Sequence, residues 1–344
     1  MLYSCLLHEK VLLIDLQCEQ IYANFGNKDT IEQNIFNTTS LTLPLLRSVF
    51  DDVKHLALTS FDIVVLDLSN LQNAHNLDFV FETLFEYFFE KGKEIYIINI
   101  KTTLYDNLKL NKLESKALLK GLNNNEYCLH FSLSKTMTIP FPEILYFKFK
   151  LFQELFEKKM LSANSGYYGE NKEKLSYSSD VYLDKYINIK VFNEDKPFSH
   201  FGLFLLAHSV KSLFNNEKNN QYLFTMSING SYIASMLSRL LGVEVSYLDH
   251  LGPINRMYKT KLDNRILTGK HYFLVSDVIC LGTETKKAES IISYENAFVD
   301  GYITIVNIKT VTRPNDKPTF SLFEINKENN NIFNYSIKTE LNKL

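Results

Sequence analysis

Tyr272-Phe-Leu-Val-Ser-Asp-Val-Ile-Cys-Leu-Gly-Thr-Glu-Thr285 is the stretch whose reading decides the fold. Tyr272-Phe273-Leu274-Val275 is an unalternating apolar run, which reads as a buried parallel strand. Ser276-Asp277 marks its expected end, and a tight connection runs from Val278 to Thr283. A helical pattern starts near Glu284 and carries Ala288 and Ile291-Ile292 on its apolar face. Tyr302-Ile303-Thr304-Ile305-Val306 then supplies a second apolar strand. This is a βαβ unit, with its loop at the carboxyl end of a strand, where open α/β sheets take ligands. Backbone N–H groups at the start of the following helix favour an anion.

The same grammar extends upstream. Leu223–Met226 reads as a strand, Gly230 as a turn residue, Ile233–Leu241 as a helix closed by Gly242, and Val243–Tyr247 as another strand. Asp249–Thr268 is a polar excursion of the length of a lid or hood loop. In the amino-terminal half, strands are expected at Val11–Ile14, Phe61–Leu68, Ile95–Ile100 and Tyr127–Leu133. Helices are expected around Leu45–Val53, over Leu77–Lys91 with Gly92 as its stop, and from Glu143 to Leu161. Leu104–Asn125 reads as helical, Tyr182–Val191 as extended, and Ser199–Phe214 as a helix. Strand character continues past Ile308 to about Ile325. The expectation is a two-domain α/β protein: an amino-terminal α/β domain over 1–163, a linker over 164–179, a mainly parallel sheet flanked by helices over 180–325, and a polar tail over 326–344.

Composition excludes several classes. The chain has 344 residues, is 45% hydrophobic and has net charge −2, so it can bury cores but offers no general attraction to nucleic acid or membrane. Four cysteines without a CxxC spacing argue against a disulfide framework or a zinc knuckle. Met1–Leu16 is interrupted by His8, Glu9, Lys10 and Asp15 and does not read as a signal peptide. A cytoplasmic location is expected. His200 and His208 lie about two helical turns apart, too far to share a metal. GxxxxGK[ST], HExxH and GxSxG are all missing.

Ser276-Asp277-Val278-Ile279-Cys280-Leu281-Gly282-Thr283-Glu284 resembles the loop with which type I phosphoribosyltransferases cradle the 5-phosphate of phosphoribosyl diphosphate. The orotate branch is the most similar, with its Asp-Asp-Val-Ile-Thr-Ala-Gly-Thr-Ala pattern. The resemblance spans about Ser179 to Ile308 and implies that family's fold. It also implies a phosphoribosyl or nucleotide ligand, magnesium bound with it, and a homodimer. It places Ser276, Asp277, Cys280, Gly282, Thr283, Glu284 and Thr285 at the phosphoribosyl loop, with Asp277 also toward the metal. Asn229, Gly230 and Ser231 fall at the diphosphate loop, and Arg256 and Lys259 in the hood loop, beside Lys261 and Arg265.

The departures fall on the chemistry. Ser276 stands where the family has its first acid. Cys280, a weak donor, stands where the family has a threonine. Asn229 replaces a lysine and cannot neutralise a diphosphate. Glu284 puts a carboxylate at the helix start, and is expected to accept the loop N–H groups and so occupy the phosphate's place. Three readings stay open: a non-catalytic ligand-binding or interaction module with a degraded site, an active phosphoribosyltransferase, and a structural partner protein. Separately, Phe61–Ile100 resembles the STAS-type domain, with Asn73-Ala74-His75-Asn76 in place of that family's serine-bearing loop.

Overall fold

The computed structural model describes residues 2–17, 40–41, 43–69, 71, 73–74, 77–113, 119–123, 126–133, 138–161, 174–176, 181–183, 189–214, 221–248, 266–309, 317–326 and 337–338. The strands, in chain order, are β1 (Leu2–His8), β2 (Val11–Gln17), β3 (Ser40–Leu41), β4 (Ile63–Asp67), β5 (Asn73–Ala74), β6 (Glu94–Ile100), β7 (Leu119–Asn123) and β8 (Glu126–Phe131). They continue as β9 (Lys174–Ser176), β10 (Val181–Leu183), β11 (Gln221–Thr225), β12 (Val245–Tyr247), β13 (His271–Ile279), β14 (Phe298–Ile308), β15 (Thr319–Ile325) and β16 (Ile337–Lys338). The α-helices are α1 (Leu43–Lys54), α2 (Asp78–Glu90), α3 (Thr102–Asn107), α4 (Phe141–Leu161), α5 (Ile189–Glu194), α6 (Lys196–Phe214), α7 (Ile228–Leu241) and α8 (Thr283–Tyr294). The chain forms two compact units: residues 1–152 with 196–204, and residues 153–195 with 205–344. Of the expected linker, 174–176 form β9 and the rest lies outside the described residues.

Unit 1 holds a six-stranded sheet in the order β1-β2-β4-β6-β8-β7. β2, β4 and β6 are parallel to their neighbours among themselves, and the outer pairings are antiparallel. Strand residues alternate between faces. Leu12, Ile14, Leu16, Val64, Leu66, Ile95, Ile97, Leu129 and Phe131 share one apolar cluster with Val49, Phe81, Leu84 and Phe88 of the helices. The predicted helix over 104–125 is corrected. Among the described residues the α-helix here is confined to Thr102–Asn107, Lys109 turns left-handed at φ 51°, and Leu119–Asn123 pairs antiparallel with β8. Gly121 and Asn123 are poor residues for a helix interior.

Unit 2 holds a five-stranded sheet in the order β12-β11-β13-β14-β15, every pairing parallel. Tyr272–Val275 lies in the central strand, as its apolar run requires. Several boundaries differ from the sequence reading. Gly230, read as a turn residue ahead of a helix from Ile233, lies in the first turn of α7, which starts at Ile228 because Ser227 caps it. β13 does not stop at Ser276-Asp277 but runs to Ile279, because Ser276, Val278 and Ile279 pair with Thr304, Val306 and Asn307 of β14. Ile189–Val191 is helical within α5 rather than extended. A small antiparallel sheet, β16-β10-β9, uses Ile337–Lys338 from the expected polar tail. Among the described residues no helix is long and apolar enough to cross a membrane.

Candidate functional site

The sequence places its candidate residues at the carboxyl ends of β11 and β13, and the fold brings several of them together. β11 ends at Thr225, and Ser227 then caps α7. Its extended backbone, φ −105°, lets its Oγ accept the Gly230 N–H at 3.0 Å. Gly230 is buried, and a Cβ there would fall 2.7 Å from Ser227 Oγ and 2.9 Å from the Val275 carbonyl, and against Thr225 Oγ1. No side chain fits, so glycine is required by close approach to β13. Ser231 is on the next turn, with its hydroxyl donating to the Ser227 carbonyl at 2.8 Å.

Asn229 reaches across. Its Nδ2 donates to Asp277 Oδ2 at 2.8 Å. The other oxygen, Oδ1, accepts the Val278 N–H at 3.0 Å. Ser276 is buried, and its hydroxyl donates to the Val278 carbonyl at 3.3 Å. Cys280 and Leu281 follow, and Gly282 turns left-handed at φ 75° before α8. Thr283 opens that helix. Thr285 is buried and its hydroxyl donates to the Gly282 carbonyl at 2.8 Å, so it faces its own turn.

Glu284 departs from expectation. The loop N–H groups do not hold its carboxylate. Burial raises its pKa above the ordinary carboxylate value, the Asp277 charge raises it further, and Lys287 only partly opposes them. An acceptor of several N–H bonds would move the other way. Glu284 therefore sits at the helix start as the poorly solvated neighbour of Asp277. Arg256 and Lys259, with Lys261 and Arg265, lie outside the described residues.

The resemblance implies a magnesium ion carried with the diphosphate. Of the residues the resemblance turns toward it, one acid remains. The acid pair is reduced to Asp277, whose two oxygens already accept from Asn229 and Val278. Among the described residues no group of three or more His, Cys, Asp or Glu gathers to hold a metal. Sequence reading missed Ser227 as the cap and Thr225 beneath it. Thr225 Oγ1 is buried without a hydrogen-bond partner. Ser227 was readable as a helix-start residue. The Thr225 contact depends on the packing of Gly230 and has no local signal.

No protein-family model matches the chain, and no curated protein matches it. Among solved structures it is similar to an orotate phosphoribosyltransferase from Aeropyrum pernix, at 15% identity over 52% of this chain and 96% of that one, with a TM-score of 0.38. It is similar to an adenine phosphoribosyltransferase from Leishmania tarentolae, at 12% identity over 52% of this chain and 90% of that one, with a TM-score of 0.37. An adenine phosphoribosyltransferase from Thermoanaerobacter pseudethanolicus aligns at 15% identity over 41% of this chain and 88% of that one, with a TM-score of 0.34.

Proposed function

We propose that unit 2 is a phosphoribosyltransferase-like module that binds a nucleotide or phosphoribosyl ligand without transferring the group. The observation that carries this reading is the 2.8 Å hydrogen bond from Asn229 to Asp277. It ties the diphosphate loop to the phosphoribosyl loop. It engages the acid that the resemblance places at the phosphoribosyl loop, and it uses an amide where that family has a lysine. Transfer chemistry needs preorganised positive charge where negative charge gathers. Around Asp277 the described hydrogen-bond partners are an amide and a backbone N–H, and the Lys287 ammonium acts on the neighbouring Glu284. Unit 1 is read as an accessory α/β module, similar to STAS-type domains over Phe61–Ile100.

Two measurements on the purified chain test the reading. Calorimetry with nucleoside monophosphates should give heat of binding, and phosphoribosyl diphosphate with magnesium should bind more weakly. An assay with orotate and phosphoribosyl diphosphate should yield no orotidine 5-phosphate. Turnover that disappears in Asp277→Ala would sink the non-catalytic reading and favour the active one, for which Asp277, Gly282 and Thr283 speak. Absence of binding to any of these ligands would leave the structural-partner reading in its place.

A further inference from the structure

The six-stranded sheet of unit 1 has two unlike faces. One carries the apolar cluster under α1 and α2. The opposite face, reached by the alternate residues, interleaves buried Leu13, Val65 and Ile98 with Asp15, Asp67, Glu94, Tyr96, Cys128 and His130, and Asp15, Asp67 and His130 are fully buried. Helix α4 contributes a buried lysine to that polar face. Lys148 Nζ pairs with Asp67 Oδ2 and lies 3.4 Å from Asp15 Oδ2. Asp15 and Asp67 are register partners on β2 and β4. Asn99 of β6, held left-handed at φ 57°, donates its side-chain amide to Asp67 Oδ1 at 3.1 Å. Three neighbouring parallel strands thus present polar groups at their carboxyl ends, the edge where open α/β sheets take ligands. Lys148 fills that edge from within.

A second polar fastening precedes the helix. Glu94 accepts the Thr138 N–H at 2.9 Å and the Thr138 hydroxyl, and His130 Nε2 lies 2.7 Å from the same carboxylate. Tyr96 OH accepts the Ile139 N–H at 3.0 Å. Between these fastenings and Phe152, the described apolar side chains of α4 buried in unit 1 are Ile144, Leu151 and Phe152. Buried ion clusters add little net stability when whole, yet cost much when one partner leaves. Attachment that combines such ion contacts with a short apolar seam can be lost locally, without global unfolding.

We propose that residues 138–152 form a strap, latched by Lys148 between Asp15 and Asp67 and by Thr138 on Glu94, which opens from the sheet as a unit and, when closed, blocks the crevice at the carboxyl ends of β2, β4 and β6. Cys128 reports on it. This thiol is 2% exposed, shares the polar face, and lies near the Asp67 charge and the Asn99 N–H. Alkylation of Cys128 in the full chain, read peptide by peptide, is followed at denaturant concentrations well below the unfolding transition. In the unmutated protein its rate should depend only weakly on denaturant, as local opening does. Lys148→Met should speed it by about two orders of magnitude, the effect of breaking a buried pair. Backbone exchange of α2, on the apolar face, should stay unchanged. Cys128 alkylation that follows the denaturant dependence of global unfolding overturns the proposal in the unmutated protein, whether or not Lys148→Met folds. A Lys148→Met effect on α2 as large as that on Cys128 overturns it as well.

Discussion

Asp67 and Asp277 hold corresponding places in two sheets, near the carboxyl end of an inner parallel strand, and the protein treats them differently. Asp67 is fully buried and meets a buried ammonium, an amide and the Ser69 N–H at 2.8 Å. Burial alone would raise its pKa. The charge and hydrogen bond of Lys148 outweigh burial, helped by Ser69 and Asn99, and hold it below the usual carboxylate value. Asp277 is only partly buried and meets an amide and one N–H. A carboxylate without solvent needs a cation, while one near water can be held by dipoles. The first strand end is closed by the chain's own charge. The second is held by dipoles among the described residues, beside Glu284.

The largest expected effect tests that contrast. Asp67→Leu leaves Lys148 buried with Asp15 alone and strips the acceptor from Ser69 and Asn99. It should cost about 3–5 kcal/mol in equilibrium denaturation of the full chain. Asp277→Leu, at the half-solvated end, should cost about 1–3 kcal/mol, the scale of lost hydrogen bonds to a charged group. Equal costs for the two would show that burial does not separate them. Gly230→Ala acts through packing rather than charge, on the scale of the Asp277 change. The added Cβ meets Ser227 Oγ and the Val275 carbonyl, so overpacking of about 1–3 kcal/mol is expected from the melting temperature.

A third change sharpens the charge side of the comparison. Asn229→Lys gives the unit 2 strand end the kind of cation that the unit 1 strand end already has. Affinity for phosphoribosyl diphosphate, measured by calorimetry, should rise about tenfold, the size of one charge-assisted contact. An unchanged or lower affinity would mean that Asp277 captures the new ammonium as Asp67 captures Lys148.

Much of this architecture was legible in the residues. The apolar runs at Leu12–Ile14, Ile63–Leu66, Ile95–Ile98 and Tyr272–Val275 all became inner strands, because an unalternating run fits only a position covered on both faces. The meeting of Gly230 with β13 and of Asn229 with Asp277 was foreshadowed only by the order of the motifs. The polar face of unit 1 was not legible. Asp15, Asp67 and Lys148 are far apart in sequence, and Lys148 sits in a Phe-rich helical pattern where a lysine reads as solvent-facing. Its pairing exists only once two strands are in register. The extension of β13 past Ser276 was hidden for a related reason: polar residues read as a strand end, whereas here Ser276 pairs with Thr304 and the strand continues with Val278 against Val306.

The smallest expected effect comes from Glu284, and its pH sign is opposite to that of Asp67. Asp67 has a lowered pKa in the folded state, so its contribution is present above the ordinary carboxylate range and is lost as pH falls through the folded value. Glu284 has a raised pKa, first through burial and then through Asp277. The folded state therefore holds its proton more tightly than the unfolded chain. No penalty exists below the unfolded value. One accumulates as pH rises, and is complete above the folded value. Glu284→Gln removes the charge while keeping the shape, so it should stabilise the protein at neutral pH by about 1 kcal/mol or less, allowing for solvent screening. The gain should vanish toward acid pH, where the carboxyl is protonated in both states. Melting temperatures of the two proteins across that range decide the matter. A Glu284→Gln protein that melts lower at neutral pH would mean that the loop N–H groups do hold the carboxylate, and that Glu284, like Lys148, fills its strand end with a charge of its own.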